Sequence, residues 1–147
     1  MFEALSPEMK ATEPGKQIAE QLENLKSTQI GSIAPDFSAP TPSGDVLALS
    51  DVTSNAKLTL VDFWAAWCRP CRAENPNIVA VYKKYREKGF DVLGVSLDNN
   101  ADHWNQAIQS DGLEWNHISN LQRFQDPIAR LYNINAIPAA FLLDDKG

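Results

Sequence analysis

Two apolar runs, Leu58-Thr59-Leu60-Val61-Asp62-Phe63-Trp64 and Phe90-Asp91-Val92-Leu93-Gly94-Val95-Ser96-Leu97, bracket a stretch with helical periodicity. Runs that are apolar on both faces belong in the middle of a sheet covered on both sides. Between them, Arg72 to Lys88 carries Ile78, Val81, Tyr82 and Tyr85 at helical spacing, and Gly89 supplies the stop. Strand, helix and strand of this length make a right-handed βαβ unit. The chain is therefore read as α/β, a central sheet flanked by helices.

The flanking segments read less sharply. Residues 1 to about 15 read as a linker punctuated by Pro7, Pro14 and Gly15. Lys16 to Ser27 puts Ile18, Leu22 and Leu25 on one narrow stripe, a short surface helix. Two extended pieces, around Phe37 and from Val46 to Leu49, join through Ser43-Gly44-Asp45 as a hairpin. Asn100 to Asp111 reads as a helix with Trp104, Ala107 and Ile108 inward. Asp126-Pro127 reads as an N-cap and first helical residue, opening a helix through Tyr132. Ala139 to Leu143 is a third strand, followed by the turn chemistry of Asp144-Asp145-Lys146-Gly147. The expected division is a linker and short helix over 1–29 and one domain over 30–147, cut short before a hairpin partner for Phe141 to Leu143.

With 147 residues one domain is the natural expectation. A net charge of -6 argues against nucleic acid and against an anionic membrane surface. No apolar run is long enough to span a bilayer, and the first residues lack the basic and apolar regions of a signal peptide. Either a cytosolic chain or an exported one freed of its leader fits that start.

The chemistry concentrates where the first strand meets the helix. Trp67-Cys68-Arg69-Pro70-Cys71 holds both cysteines. They span too little chain to staple a fold, so a chemical reason for the pair is favoured. A zinc half-site is the rival, but zinc wants about four ligands and only His103 and His117 remain, at no useful spacing. A lone Cys-x-x-Cys between strand and helix is what thiol–disulfide exchange needs. Cys68 at the helix N-terminus is the expected nucleophile, because unpaired N–H groups and the helix dipole favour its thiolate there. Arg69 adds a positive charge, and Cys71 is the expected resolving thiol. No metal and no cofactor beyond the Cys68–Cys71 pair is expected.

Five further residues complete the candidate site. Asp62 shares a face with Leu58, Leu60 and Trp64 by period two, so burial should raise its pKa and let it take the Cys71 proton. A solvent-facing residue near a strand end is the alternative. Glu74 shares a helix face with Cys71 and either tunes it or is an ordinary first-turn acid. Trp67 either offers an apolar surface to a substrate chain or packs in the core. Pro138 enters the third strand. If Ile137-Pro138 is cis, the Ile137 backbone is free to pair with an incoming peptide strand. Pro76 falls inside the helix, where it removes a hydrogen bond.

The run Val61-Asp62-Phe63-Trp64-Ala65-Ala66-Trp67-Cys68-Arg69-Pro70-Cys71 is similar to the thioredoxin signature along its length. Asp62 matches that family's buried acid, Pro76 its helix proline and Ile137-Pro138 its cis-proline loop. Gly31-Ser32-Ile33-Ala34-Pro35-Asp36-Phe37, Cys71-Arg72-Ala73-Glu74-Asn75-Pro76 and Gly94-Val95-Ser96-Leu97-Asp98 resemble the TlpA/ResA-like and peroxiredoxin-related branch. The resemblance covers about residues 30 to 147. It implies a thioredoxin-like fold with a central mixed sheet, an N-terminal β-hairpin, a helical insertion, and a missing C-terminal strand and helix. It implies an active-site role for Glu74. It further implies an extracytoplasmic bacterial reductase of protein disulfides, fed by an upstream thiol donor and often tethered to a membrane. The cytoplasm stays open.

Two other function classes are weighed beside this one. A peroxiredoxin-like thiol peroxidase carries a Thr three residues before its reactive Cys, and Ala65 stands there. A non-catalytic binding module of the same fold would keep its function without Cys68.

Overall fold

A computed structural model of the chain describes residues 6–147. Helices α1 (Pro7–Lys10) and α2 (Glu13–Ser27) come first, then strands β1 (Ser38–Pro40) and β2 (Val46–Ala48), helix α3 (Leu49–Thr53) and strand β3 (Leu58–Trp64). Helix α4 (Arg69–Tyr85), strand β4 (Phe90–Ser96), helix α5 (Ala101–Asp111), strand β5 (Asn116–Ile118), helix α6 (Pro127–Leu131) and strand β6 (Ala139–Asp144) follow.

The segment read as a linker is largely helical in its described part. Thr12 caps α2, its Oγ1 accepting the Gly15 N–H at 3.2 Å, and Pro14 sits in the first turn. Proline and glycine there are helix-start chemistry rather than loop punctuation. The part of that reading over residues 1–5 lies outside the described residues.

The main sheet runs β5-β4-β3-β6. β3 is parallel to β4, β4 is parallel to β5, and β6 returns antiparallel to β3. The β1–β2 hairpin forms a separate antiparallel pair. Period two splits β3 between two cores. Val61 and Phe63 join Leu93, Val95, Ile118 and Leu143 against the hairpin, α3 and α6. Trp64 joins Val92, Tyr82, Trp104, Trp115 and both cysteines against α4 and α5.

Helix α4 opens at Arg69, earlier than the spacing predicted, because Cys68 caps it and Pro70 fits its first turn. Its inward residues are Cys71, Asn75 and Tyr82 with Ile78 half-buried, whereas Val81 and Tyr85 are 43% and 38% exposed. The stripe therefore runs 71, 75, 78, 82 and includes two polar or sulfur-bearing positions that an apolar search passes over. Leu58 is also 43% exposed, so the first residue of β3 is not covered on both sides as expected.

Candidate active site

The cysteines sit where the C-terminal end of β3 turns into α4. Cys68 is the N-cap residue, with extended backbone (φ -89°, ψ 101°), and its Sγ accepts the Cys71 N–H at 3.3 Å. Cys71 lies one turn inside, and the two are joined as a disulfide with Cα atoms 5.3 Å apart. Both are buried, Cys68 at 4% and Cys71 at 2% exposure, so the difference in access between them is small. A sulfur in the capping position receives a helix N–H that a neutral capping group would otherwise take. That hydrogen bond and the helix dipole act in favour of a thiolate once the bond is reduced.

Asp62 is buried on the α4 side of β3. Burial, and secondarily the charge of Glu74, push its carboxyl up to about 6. The register explains how it fits. Its neighbours across the sheet are Gly94 on β4 and Ala140 on β6, the smallest side chains that a strand can offer. Glu74 itself is exposed on α4 and reaches Asp62 through its field.

Gly94 is held to its identity by close approach. A Cβ there would lie 2.6 Å from His117 Nδ1 and 3.2 Å from Trp115 Nε1. His117 is buried, its Nε2 is 3.2 Å from the Leu113 carbonyl oxygen, and burial lowers its pKa to about 4. The ring is neutral at pH 7.

Trp67 is 47% exposed and lies outside the core cluster. The Arg123 guanidinium stacks 5.7 Å from its ring centroid and Phe124 lies 6.2 Å away. Arg123 and nearby Leu121 both have left-handed backbones, φ 52° and 57°, which cost about 1–2 kcal/mol each in a non-glycine residue. The Ile137–Pro138 bond is cis. Ile137 is half-buried against the cluster that holds both cysteines, and Pro138 is exposed. Cys68 and Cys71 thus share one buried cluster with Ile137 packed against it, Asp62 is buried on the same side of β3, and Glu74 and Trp67 are exposed.

Sequence reasoning did not pick out Asp98 for the site. Its two carboxylate oxygens accept the Ala66 N–H at 3.0 and 3.1 Å, fixing the loop just before Cys68. Ser96 Oγ donates to Asp98 Oδ2 at 2.6 Å, and Ser119 Oγ donates to the Ser96 carbonyl at 2.9 Å. The available signal was a Ser-x-Asp directly at the end of a buried strand, where a carboxylate needs donors. A cleft of about 240 Å³ opens beside this loop, lined by Trp67, Arg72, Asp98, His103, Gln106 and Ser110 among others.

The model of the AhpC/TSA family matches residues 30–147. The chain belongs to the AhpC/TSA family. It is similar to the thiol-disulfide oxidoreductase ResA of Geobacillus kaustophilus, 30% identical over 80% of this chain and 65% of that protein. It is 32% identical to the thioredoxin-like protein YneN of Bacillus subtilis, over 81% of this chain and 68% of that one. The fold is similar to the thioredoxin domain of a thiol-disulfide oxidoreductase from Bacteroides vulgatus. There the TM-score is 0.71 and the identity 34%, over 80% of this chain and 82% of that one. The fold is thioredoxin-like, a mixed sheet flanked by helices, as the signature implied. The chain spans about two thirds of the length of its curated AhpC/TSA relatives.

Proposed function

We propose that the chain is a thiol–disulfide oxidoreductase that reduces protein disulfides. The observation that carries this reading is a bonded Cys68–Cys71 pair capping α4, with a buried carboxyl on the strand that leads into it. In the reduced protein the Cys68 thiolate attacks one sulfur of a substrate disulfide. The substrate bond breaks, its other sulfur leaves as a thiolate, and a mixed disulfide links Cys68 to the substrate. Asp62 then takes the Cys71 proton, directly or through one water, and Cys71 attacks the Cys68 sulfur. The intramolecular bond re-forms and the second substrate thiol is released. Two electrons pass to the substrate in each turn, and an upstream dithiol donor must return them.

In this reading a substrate strand lies against the cis Ile137–Pro138 loop by main-chain pairing, supported by the packing of Ile137 against the cluster that holds both cysteines. Trp67 offers the exposed ring face next to it. Burial, with the charge of Glu74 adding to it, keeps Asp62 basic enough to accept a proton. An extracytoplasmic place in a bacterium is part of the same reading, supported by the ResA-named relatives. Among the described residues no helix is long and apolar enough to cross a membrane.

The test is trapping. Cys71→Ser, reduced and mixed with a disulfide-bonded protein, should accumulate a covalent adduct seen by mass spectrometry and released by dithiothreitol. Normal turnover by that variant would remove Cys71 from the mechanism.

A further inference from the structure

Arg72 follows Cys71 in α4, and its side chain crosses to α5. Nε donates to Asp111 Oδ2 at 3.0 Å and Nη2 to Asp111 Oδ1 at 2.8 Å, the forked geometry of a strong ion pair. Nη1 points back and donates to the Ala66 carbonyl at 3.4 Å. Asn75, buried on the next turn of α4, donates its Nδ2–H to Asp111 Oδ2 at 2.9 Å. The two peptide groups that flank the Ala66 Cα are therefore both held, the N–H by Asp98 and the carbonyl by Arg72. The second leads directly into Trp67 and Cys68.

The cluster is also electrically lopsided. One guanidinium lies between two carboxylates, Asp111 bonded to it and Asp98 within its field. The Arg72 hydrogen bond holds the Asp111 carboxyl below the usual carboxylate range. A lone arginine next to a redox cysteine would stabilise thiolate and make the pair more oxidising. Here the charge is spoken for.

We propose that Asp111 is a positioning residue for the redox pair: by holding Arg72 it fixes the Ala66 peptide and cancels the positive charge beside Cys71, which keeps the pair reducing. This rests on thiol–disulfide exchange at Cys68 and Cys71. It assigns to α5 a role at the site through a residue that lies 40 positions along the chain from Cys71.

Charge and mere support predict different signs. Asp111→Asn removes one negative charge from the cluster and leaves Arg72 opposed only by the more distant Asp98 field. Arg72→Gln removes the positive charge and leaves both carboxylates. The equilibrium constant of the cysteine pair against glutathione, and the Cys68 thiolate titration followed at 240 nm, read the result. Asp111→Asn should shift the equilibrium toward the reduced protein by about threefold and lower the thiolate pKa, the size expected for a charge partly screened by solvent. Arg72→Gln should move both quantities by a similar amount the other way, and the double variant should return close to the wild type.

Two single variants that move the same way, as a loosened loop would make them, overturn the proposal. So do two that leave both quantities unchanged while folded. If Asp111→Asn fails to fold, Arg72→Gln alone decides: a more reducing pair supports the proposal, an unchanged or more oxidising one sinks it. A wild-type pair that does not equilibrate with glutathione would instead defeat the exchange chemistry itself.

Discussion

On one face of β3, Val61 and Phe63 meet a ring cluster. Tyr132 lies 5.7 Å from Phe63, 5.2 Å from Phe141 and 5.4 Å from Phe37, and its hydroxyl donates to the Pro35 carbonyl at 2.7 Å. On the other face, Trp64 packs in a cluster with both cysteines and an aromatic wall of Tyr82, Trp115 and His117, and Asp62 is buried on the same side. There the indole N–H groups of Trp64, Trp104 and Trp115 and the Nδ1 of His117 find no hydrogen-bond partner among the described residues. The first face leaves fewer such atoms, Thr59 Oγ1 and one Asp126 oxygen. Each unpaired polar atom costs about 1–3 kcal/mol relative to a paired one. The helix side thus carries titratable and redox groups in apolar surroundings and leaves more of its buried polar atoms unpaired.

That contrast breaks most sharply at the sulfur. Cys68→Ser should reduce disulfide reductase activity by about a thousandfold or more, read with an insulin precipitation assay, and leave the fold intact. Phe63→Ala on the hairpin side should do the reverse. It should lower unfolding free energy by about 3–5 kcal/mol in a urea titration, with the cysteine equilibrium constant unchanged. If the constant moves as far as the stability does, the two faces are not separable.

The two buried titratable groups sharpen the same comparison through pH. His117 has a folded pKa near 4 against an ordinary 6.5, so its contribution is present above pH 6.5 and lost as pH falls toward 4. Relative to His117→Phe, the wild type should lose about 3 kcal/mol between pH 7 and pH 4, from 1.36 kcal/mol per pH unit. Asp62 has the opposite sign. Its folded pKa near 6 lies above the ordinary 3.8, so its contribution is full below pH 3.8 and lost as pH rises through 6. At pH 7.5, Asp62→Asn should therefore be more stable than the wild type by about 2–3 kcal/mol. The same variant should lose the rise in substrate-release rate that the wild type shows as pH increases through 6, read by stopped-flow after mixing with substrate. Release that keeps its full pH profile would mean that Asp62 does not take the Cys71 proton.

The smallest effect belongs to the rim. Trp67→Ala should raise KM for a protein disulfide a few-fold and change stability by less than about 0.5 kcal/mol, as expected of a half-exposed ring. A large stability loss would mean that the ring packs as core.

The sequence made β3, α4 and β4 legible because both apolar runs are long and the helix between them has a clear stop at Gly89. It hid β5, whose three residues, Asn116, His117 and Ile118, are too few to show a period and begin on polar types. The start of α2 was misread because Pro14 and Gly15 serve a helix cap as readily as a loop. At the site, the nearness of Cys68 to Cys71 and the burial of Asp62 were readable because spacing along one turn and one strand places them. Asp98 and Asp111 were not, since their partners Ala66 and Arg72 lie 32 and 39 residues away and only the fold brings them together. Arg123 escaped for the same reason, and because nothing in its local sequence asks for a left-handed backbone.

Position 94 has a consequence for how this molecule can change. The imidazole of β5 leans across β4 into the space that any other residue would fill, and the indole of Trp115 shares it. One added methyl group would have to be absorbed by rings in the same cluster as the sulfur pair. Helices laid over a sheet can slide to accommodate new side chains, but this strand sits between two others and has nowhere to go. The least massive residue of the sheet is accordingly the point at which remodelling of the catalytic side is most tightly vetoed.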